Sequence, residues 1–187
     1  MKHTLLSALL CIAVITVQAQ DFFKDTNGKW GLKDVSGKVI LTGKYDNIQQ
    51  FSEGLGGVAI GNMYDAKWGF VDKNGREIIA PKYSLVFAFA EGFSRVITGD
   101  IFTMEGKNGF IDQTGKEIVM PKYENAHDFS EGLAAVSLNK KWGYINKTGK
   151  EIIPLKYSYA HPFKNGIAKV ELNDRMIYIG RSGRELQ

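Results

Sequence analysis

Cysteine is almost absent. Cys11 is the single one in 187 residues, and it lies in an N-terminal stretch that reads as a targeting segment. Everything after that stretch lacks the means for a disulfide framework, a thiol nucleophile or a cysteine metal site, so the core alone must hold the fold. Proline is scarce as well, at four residues against twenty-one glycines, a balance that points to many tight turns. Charge of one sign never accumulates. The 24 Lys and Arg and 20 Asp and Glu are interspersed to a net +4, which reads as a solvated surface. A nucleic-acid groove needs a clustered basic stripe with exposed aromatics, so no nucleic-acid partner is expected. There is no Gly-x-Ser-x-Gly elbow, no phosphate-cradling glycine loop ahead of a helix and no dinucleotide fingerprint. No cofactor and no catalytic residue are therefore assigned. Sustained helical periodicity is missing too, outside the N-terminal segment.

That segment is Met1 to Ala19. Lys2 and His3 give a short positive start, and Leu5 to Val17 is apolar except for Ser7 and Thr16. Val17 and Ala19 put small residues where a leader peptidase reads them, so cleavage before Gln20 is expected, with an uncleaved anchor as the alternative. The run is short for a spanning helix, and no later stretch replaces it. The expected localisation is exported, either periplasmic or extracellular.

What the chain does have is a repeat, and periodicity has to be read before anything else because it decides the architecture. Lys67-Trp68-Gly69-Phe70-Val71-Asp72-Lys73-Asn74-Gly75-Arg76-Glu77-Ile78-Ile79 is nearly restated by Lys141-Trp142-Gly143-Tyr144-Ile145-Asn146-Lys147-Thr148-Gly149-Lys150-Glu151-Ile152-Ile153. Copies start near Lys29, Lys67, Lys107 and Lys141, with a degenerate one near Arg175. Tyr45, Tyr83, Tyr123 and Tyr157 keep the register, each after a lysine, as do Phe51, Phe89, Phe129 and Phe163. Two copies depart from it: Asn108 stands in place of Trp in the third, and Met176-Ile177 in place of Trp-Gly in the last.

The Lys-Trp-Gly-aromatic start, the Asp-x-x-Gly-Lys-Glu-Ile-Ile segment, the Pro-Lys-Tyr and the Phe-Ser-Glu-Gly together resemble the WG-repeat family of bacterial proteins, over nearly all of residues 20–187. The resemblance implies an all-β repeat module and carries over no catalytic residue.

One copy can be read physically. Leu133 to Leu138, Trp142 to Asn146 and Lys150 to Ile153 are rich in strand formers and separated by turn residues, which predicts a three-stranded antiparallel meander. Five such units fall at about 22–41, 57–80, 94–119, 134–153 and 168–186. Asn74-Gly75 is the strongest hairpin signal. Pro121, without an N–H, should end its strand. Tyr123 and Phe129 should wedge one unit against the next, because a unit this small cannot bury its apolar face alone. The fold class is thus all-β, a tandem array of about five meanders forming an open β-solenoid or a small propeller-like ring. The open form is favoured because the first and last units look complete in themselves.

Repetition also discounts most candidate chemistry. Glu53, Glu91 and Glu131 recur at equivalent positions, so they should spread along the array rather than converge as a glycosidase pair. Glu77, Glu117 and Glu151 should pair with lysines. His127 and His161 are equivalent to Gln49 and Phe87, and nothing supplies a third ligand at metal spacing, so no metal site is assigned. Trp30, Trp68 and Trp142 are expected to be structural, each followed by a glycine that makes room for the ring or for a bulge.

The informative feature is where the period fails. The loop leading into the Trp strand is longest in the second and third copies, which add Met63, Tyr64 and Asp65, then Asp100, Ile101, Phe102, Thr103 and Met104. Insertions in a repeat array map to loops on one face, often the binding face. Met63, Tyr64, Asp65, Asp100, Ile101, Phe102 and Met104 are therefore the candidate binding residues. The alternative is that the apolar ones fold back over a strand edge. The expected role is a non-catalytic binding module of the cell envelope, its partner a protein or a cell-envelope glycan. A carbohydrate-binding or carbohydrate-active protein and a structural scaffold are the alternatives.

Overall fold

The computed structural model describes residues 21–103 and 105–186; the leader segment expected at 1–19 lies outside them. Five small antiparallel sheets follow one another along the chain, with no helix among the described residues. The first sheet comprises β1 (Asp21–Lys24), β2 (Trp30–Lys33) and β3 (Val39–Tyr45). The second is β4 (Asn47–Ile48), β5 (Leu55–Ile60), β6 (Lys67–Asp72) and β7 (Glu77–Tyr83). The third is β8 (Leu85–Val86), β9 (Phe93–Thr98), β10 (Lys107–Asp112) and β11 (Glu117–Tyr123). The fourth is β12 (Asn125–Ala126), β13 (Leu133–Leu138), β14 (Lys141–Asn146) and β15 (Glu151–Tyr157). The fifth holds β16 (Tyr159–Ala160), β17 (Ile167–Leu172) and β18 (Arg175–Gly180).

The expected meanders are present with two corrections. The three middle sheets have four strands, because the connector contributes a two-residue strand at one edge. The first unit has the three long strands expected of it and lacks only that short one, whereas the fifth shows no long strand beyond β18 among the described residues.

Pro121 does not end its strand either. β11 runs through it to Tyr123, pairing Val119 with Phe110 and then Tyr123 with Asn108, so three residues bulge opposite Gly109. The bulge takes Pro121 out of the hydrogen-bond ladder, and its missing N–H then costs nothing. It also explains the glycine after each tryptophan. A Cβ on Gly143 would lie 2.5 Å from the Ile153 carbonyl oxygen and 2.8 Å from Leu155 N. In β18, where Ile177 stands at this position, no bulged strand leans on it among the described residues.

Each interior sheet is buried on both faces, and alternate residues serve different neighbours. In β13, Ala134 and Val136 join the cluster shared with the third sheet, while Leu133 and Ala135 join the cluster shared with the fifth. In β14, Ile145 faces one way and Trp142 and Tyr144 the other. Tyr123 and Phe129 are buried in the junction between sheets three and four, as the wedge reading predicts, with Phe129 4.9 Å from Phe110. Each such aromatic contributes roughly 1.5–3 kcal/mol on burial. Five sheets are joined by four core clusters, one per consecutive junction. Among the described residues no cluster joins the first sheet to the fifth, the arrangement of an open row.

Hydrogen bonds repeat the nearest-neighbour rule. Glu53, Glu91 and Glu131 sit in tight turns at φ 50–54°. The carboxylate of each caps the next unit's turn: Glu53 accepts from Gly92 N, Glu91 from Glu131 N and Gly132 N, and Glu131 from Gly166 N. Ser52 and Ser130 donate to the carbonyls of Phe89 and Phe163 across the same junctions. The Phe-Ser-Glu-Gly segment is thus an inter-unit staple. Glu77 accepts from Lys44 and Tyr45 of the preceding unit, and Glu117 from Tyr83, with Lys82 alongside. Asn74-Gly75 does close a hairpin, but as part of a longer turn whose first residue, Asp72, accepts from the amides of Asn74 and Arg76.

Candidate binding clefts

The hairpin leading into each Trp strand varies in length, and that variation builds the surface. Between β13 and β14 it is the two-residue turn Asn139-Lys140, and between β17 and β18 Asn173-Asp174, both residues of each at positive φ. Such turns match the strand twist and project nothing. In the second sheet the same connection is residues 61–66, and in the third it is 99–106.

Local caps set both long loops. Asp65 accepts from Asn62 N at 2.9 Å, and the Asn62 side chain accepts from Tyr64 N at 2.8 Å. Gly61 N donates to Asp46, whose other oxygen takes Lys29; that ammonium first, then the amide, holds the Asp46 carboxyl below its ordinary range. In the second loop one Asp100 oxygen accepts from Phe102 N at 2.7 Å. The backbone therefore turns back on itself and pushes the apolar side chains outward.

Those side chains meet. Tyr64 is 77% exposed and Phe102 55% exposed, yet their rings lie 5.7 Å apart across the junction of sheets two and three. Met63 and Ile101 flank them, and a cleft of about 840 Å³ opens below, floored by Trp68, Asn47, Ser84 and Leu85. The expected residues Met63, Tyr64, Asp65, Asp100, Ile101 and Phe102 all line this one cleft; Met104 lies outside the described residues. Tyr64 and Phe102 do not fold down over a strand edge. The two aspartates bond to loop amides through one oxygen each, so their evident contribution is to shape the walls.

The tryptophans divide. Trp142 is buried, while Trp30 and Trp68 are half-buried. Trp142 is covered by His127, stacked at 5.3 Å, and by Tyr159 at 5.2 Å. His127 Nε2 is 3.3 Å from the Tyr159 hydroxyl, and burial pushes the His127 imidazolium's pKa down. This junction is filled by its own aromatics. At Trp68 the equivalent neighbours are Gln49 and Leu85, and the ring keeps an open side facing the cleft.

A second cleft, of about 580 Å³, lies at the next junction, between sheets three and four. Sequence reading noticed Asn108 but took it only as a lost tryptophan. In the fold Asn108 is buried and bonds in two directions, accepting from Arg95 Nη1 at 3.0 Å and donating to the Glu124 carbonyl at 3.1 Å. Arg95 stacks its guanidinium 3.3 Å over Phe87, much as the Trp142 ring lies over His127, and Asp128 accepts from its Nε at 3.1 Å. The indole of this copy is replaced by a guanidinium reaching in from the adjacent strand. The available signal was three departures at one junction. Arg95 stands where other copies have Gly57, Ala135 and Lys169; Asp128 where they have Gln50, Ala88 and Pro162; and Asn108 where they have Trp or Met.

Stacked meanders hydrogen-bonded across every junction, three of the four by a glutamate staple and the first by Glu77, define an all-β tandem-repeat protein with its variable surface on the hairpin loops. The chain belongs to the WG containing repeat family, which matches residues 30–64, 68–100, 109–142 and 142–175, most of the chain. No curated protein matches it.

Proposed function

We propose that this chain is an exported, non-catalytic binding module of the cell envelope, and that the cleft between its two long hairpin loops holds a segment of a partner protein. The observation that carries this reading is the exposed Tyr64–Phe102 pair above Trp68, built from the two insertions that break the repeat. Among the described aromatics only Tyr64, Phe102 and, in the last unit, Tyr178 are exposed, and the array gains no core from leaving the first two together in water. The concave, mostly apolar cleft with a few polar groups on its floor has the character of a recognition site. A glycan is the second reading, favoured by the half-buried Trp68 face beside the polar side chains of Asn47 and Ser84.

The test changes Tyr64, Ile101 and Phe102 together to Ser, side chains whose exposure leaves the thermal transition nearly unchanged. Immobilised wild type and variant are challenged with envelope extract and, separately, with a glycan panel. Protein retained by wild type and lost by the variant supports the reading. Glycan retained with the same dependence replaces it with the second reading. Equal capture by both chains removes the cleft as the site, and reproducible glycan hydrolysis lost on one acidic substitution overturns the non-catalytic role.

A further inference from the structure

The two clefts adjoin. Loop 99–106 is a wall of both, and Ile101 lines each of them. Their charges differ. In the first, Lys67 faces Asp65 and Asp100. In the second, Arg95, Lys107 and Lys140 stand against a single carboxylate, Glu124, one oxygen of which is taken by the Lys140 backbone amide. Asp128 balances Arg95 from outside the lining, at Nε.

Arg95 is arranged as a receptor for an anion. Its side chain is 16% exposed, its plane fixed on Phe87 and its Nε and Nη1 tied to Asp128 and Asn108. Among the described residues no acceptor is paired with Nη2, and Arg95 lines the cleft. A guanidinium held in one plane with an unspent edge matches a carboxylate, and little rotamer freedom is lost on pairing. The three departures that build it, at Arg95, Asn108 and Asp128, fall at the junction beside the aromatic cleft and at no other.

We infer that the two clefts form one bipartite site for an extended acidic–aromatic protein segment, whose aromatic or large apolar side chain sits beneath Tyr64 and Phe102 while a carboxylate a few residues away pairs with Arg95. This rests on the binding reading above and adds the partner's chemistry. Lys107 and Lys140 at the rim draw the acidic part in, and the loop 99–106 ridge sets the spacing between the two anchors.

A library of short random peptides displayed on phage, panned on the full chain, tests this without a known ligand. Wild type should enrich an aromatic residue and an Asp or Glu at constant spacing. Arg95→Gln should lose the acidic preference and bind the wild-type winners about tenfold or more weakly, as loss of a charge-assisted pair implies. Because Arg95→Gln removes the partner of Asp128, Lys107→Glu with Lys140→Glu is panned beside it. That pair reverses the rim charge without touching the buried network and should likewise abolish the acidic preference. Tyr64→Ser with Phe102→Ser should lose the aromatic preference. Aromatic enrichment without an acid, or an acid preference that survives both charge variants, overturns the bipartite site and leaves the aromatic cleft standing. No enrichment on wild type overturns both.

Discussion

Replacing Gly143 by Ala adds one methyl group and should be among the most damaging small changes available to this chain. The added Cβ meets the Ile153 oxygen at 2.5 Å and Leu155 N and the Pro154 carbonyl carbon at 2.8 Å, all backbone atoms. An ordinary contact is 3.4 Å or more, so the bulge must retreat by most of an ångström. It cannot retreat alone, since Ile153 and Tyr157 on the same strand are each 1% exposed in the core of the junction. Overpacking costs about 1–3 kcal/mol, and a clash with backbone on one side and a filled core behind belongs at about 3. For a chain of this size that lowers the thermal midpoint by roughly 6–12 °C. Gly166→Ala is the control. Its Cβ has nothing within 4 Å, and its φ of +76° gives only the left-handed penalty, about 1–2 kcal/mol. Urea unfolding of the three proteins, followed by tryptophan fluorescence, ranks them. If Gly143→Ala unfolds within about 0.5 kcal/mol of wild type, or later than Gly166→Ala, the bulge is not the reason for the Trp-Gly pairing.

Trp142→Ala should cost about 3–5 kcal/mol as a buried large-to-small change, and Trp30→Ala clearly less because its ring is half-exposed; equal denaturation midpoints would contradict the burial pattern. Glu91→Gln should destabilise by about 1 kcal/mol near neutral pH, a charge-assisted hydrogen-bond value discounted for a side chain about a third exposed. Burial works against the Glu91 carboxylate, but Gly132 N, Lys147 and Glu131 N outweigh it and hold its pKa below the ordinary 4.5. Its stabilising contribution is therefore complete above 4.5 and fades as pH falls through the lower folded value, so the gap between wild type and variant should close in acid; a gap that widens there would refute the staple. Asp174→Gly relieves a left-handed position at φ 58° and should stabilise by about 0.5–1 kcal/mol, read as a higher urea midpoint.

The repeat, the β class and the aromatic wedges were legible because they depend on periodic residues. Tyr123 and Phe129 recur in register, and recurrence at that spacing means a junction. The fourth strand was not legible, because Asn47-Ile48 and Asn125-Ala126 are too short to leave a pattern. Pro121 misled for a physical reason: its effect on a strand depends on what lies opposite, and the bulge over Gly109 is created by the pairing register. The aromatic cleft could be anticipated from length alone, since extra residues in a tight hairpin must project. The Arg95 network could not. Asn108 signals only an absence until the adjacent strand is known to deliver a guanidinium to the same place.

The glutamate staples also give the row a direction in time. In every one of them the carboxylate belongs to the earlier unit and the amides it receives to the later one. As the chain is synthesised or threaded out of a narrow exit, each new turn emerges next to an acceptor that is already in place, and none has to wait for a unit not yet made. In these three contacts the order of the chain and the order of stacking therefore coincide.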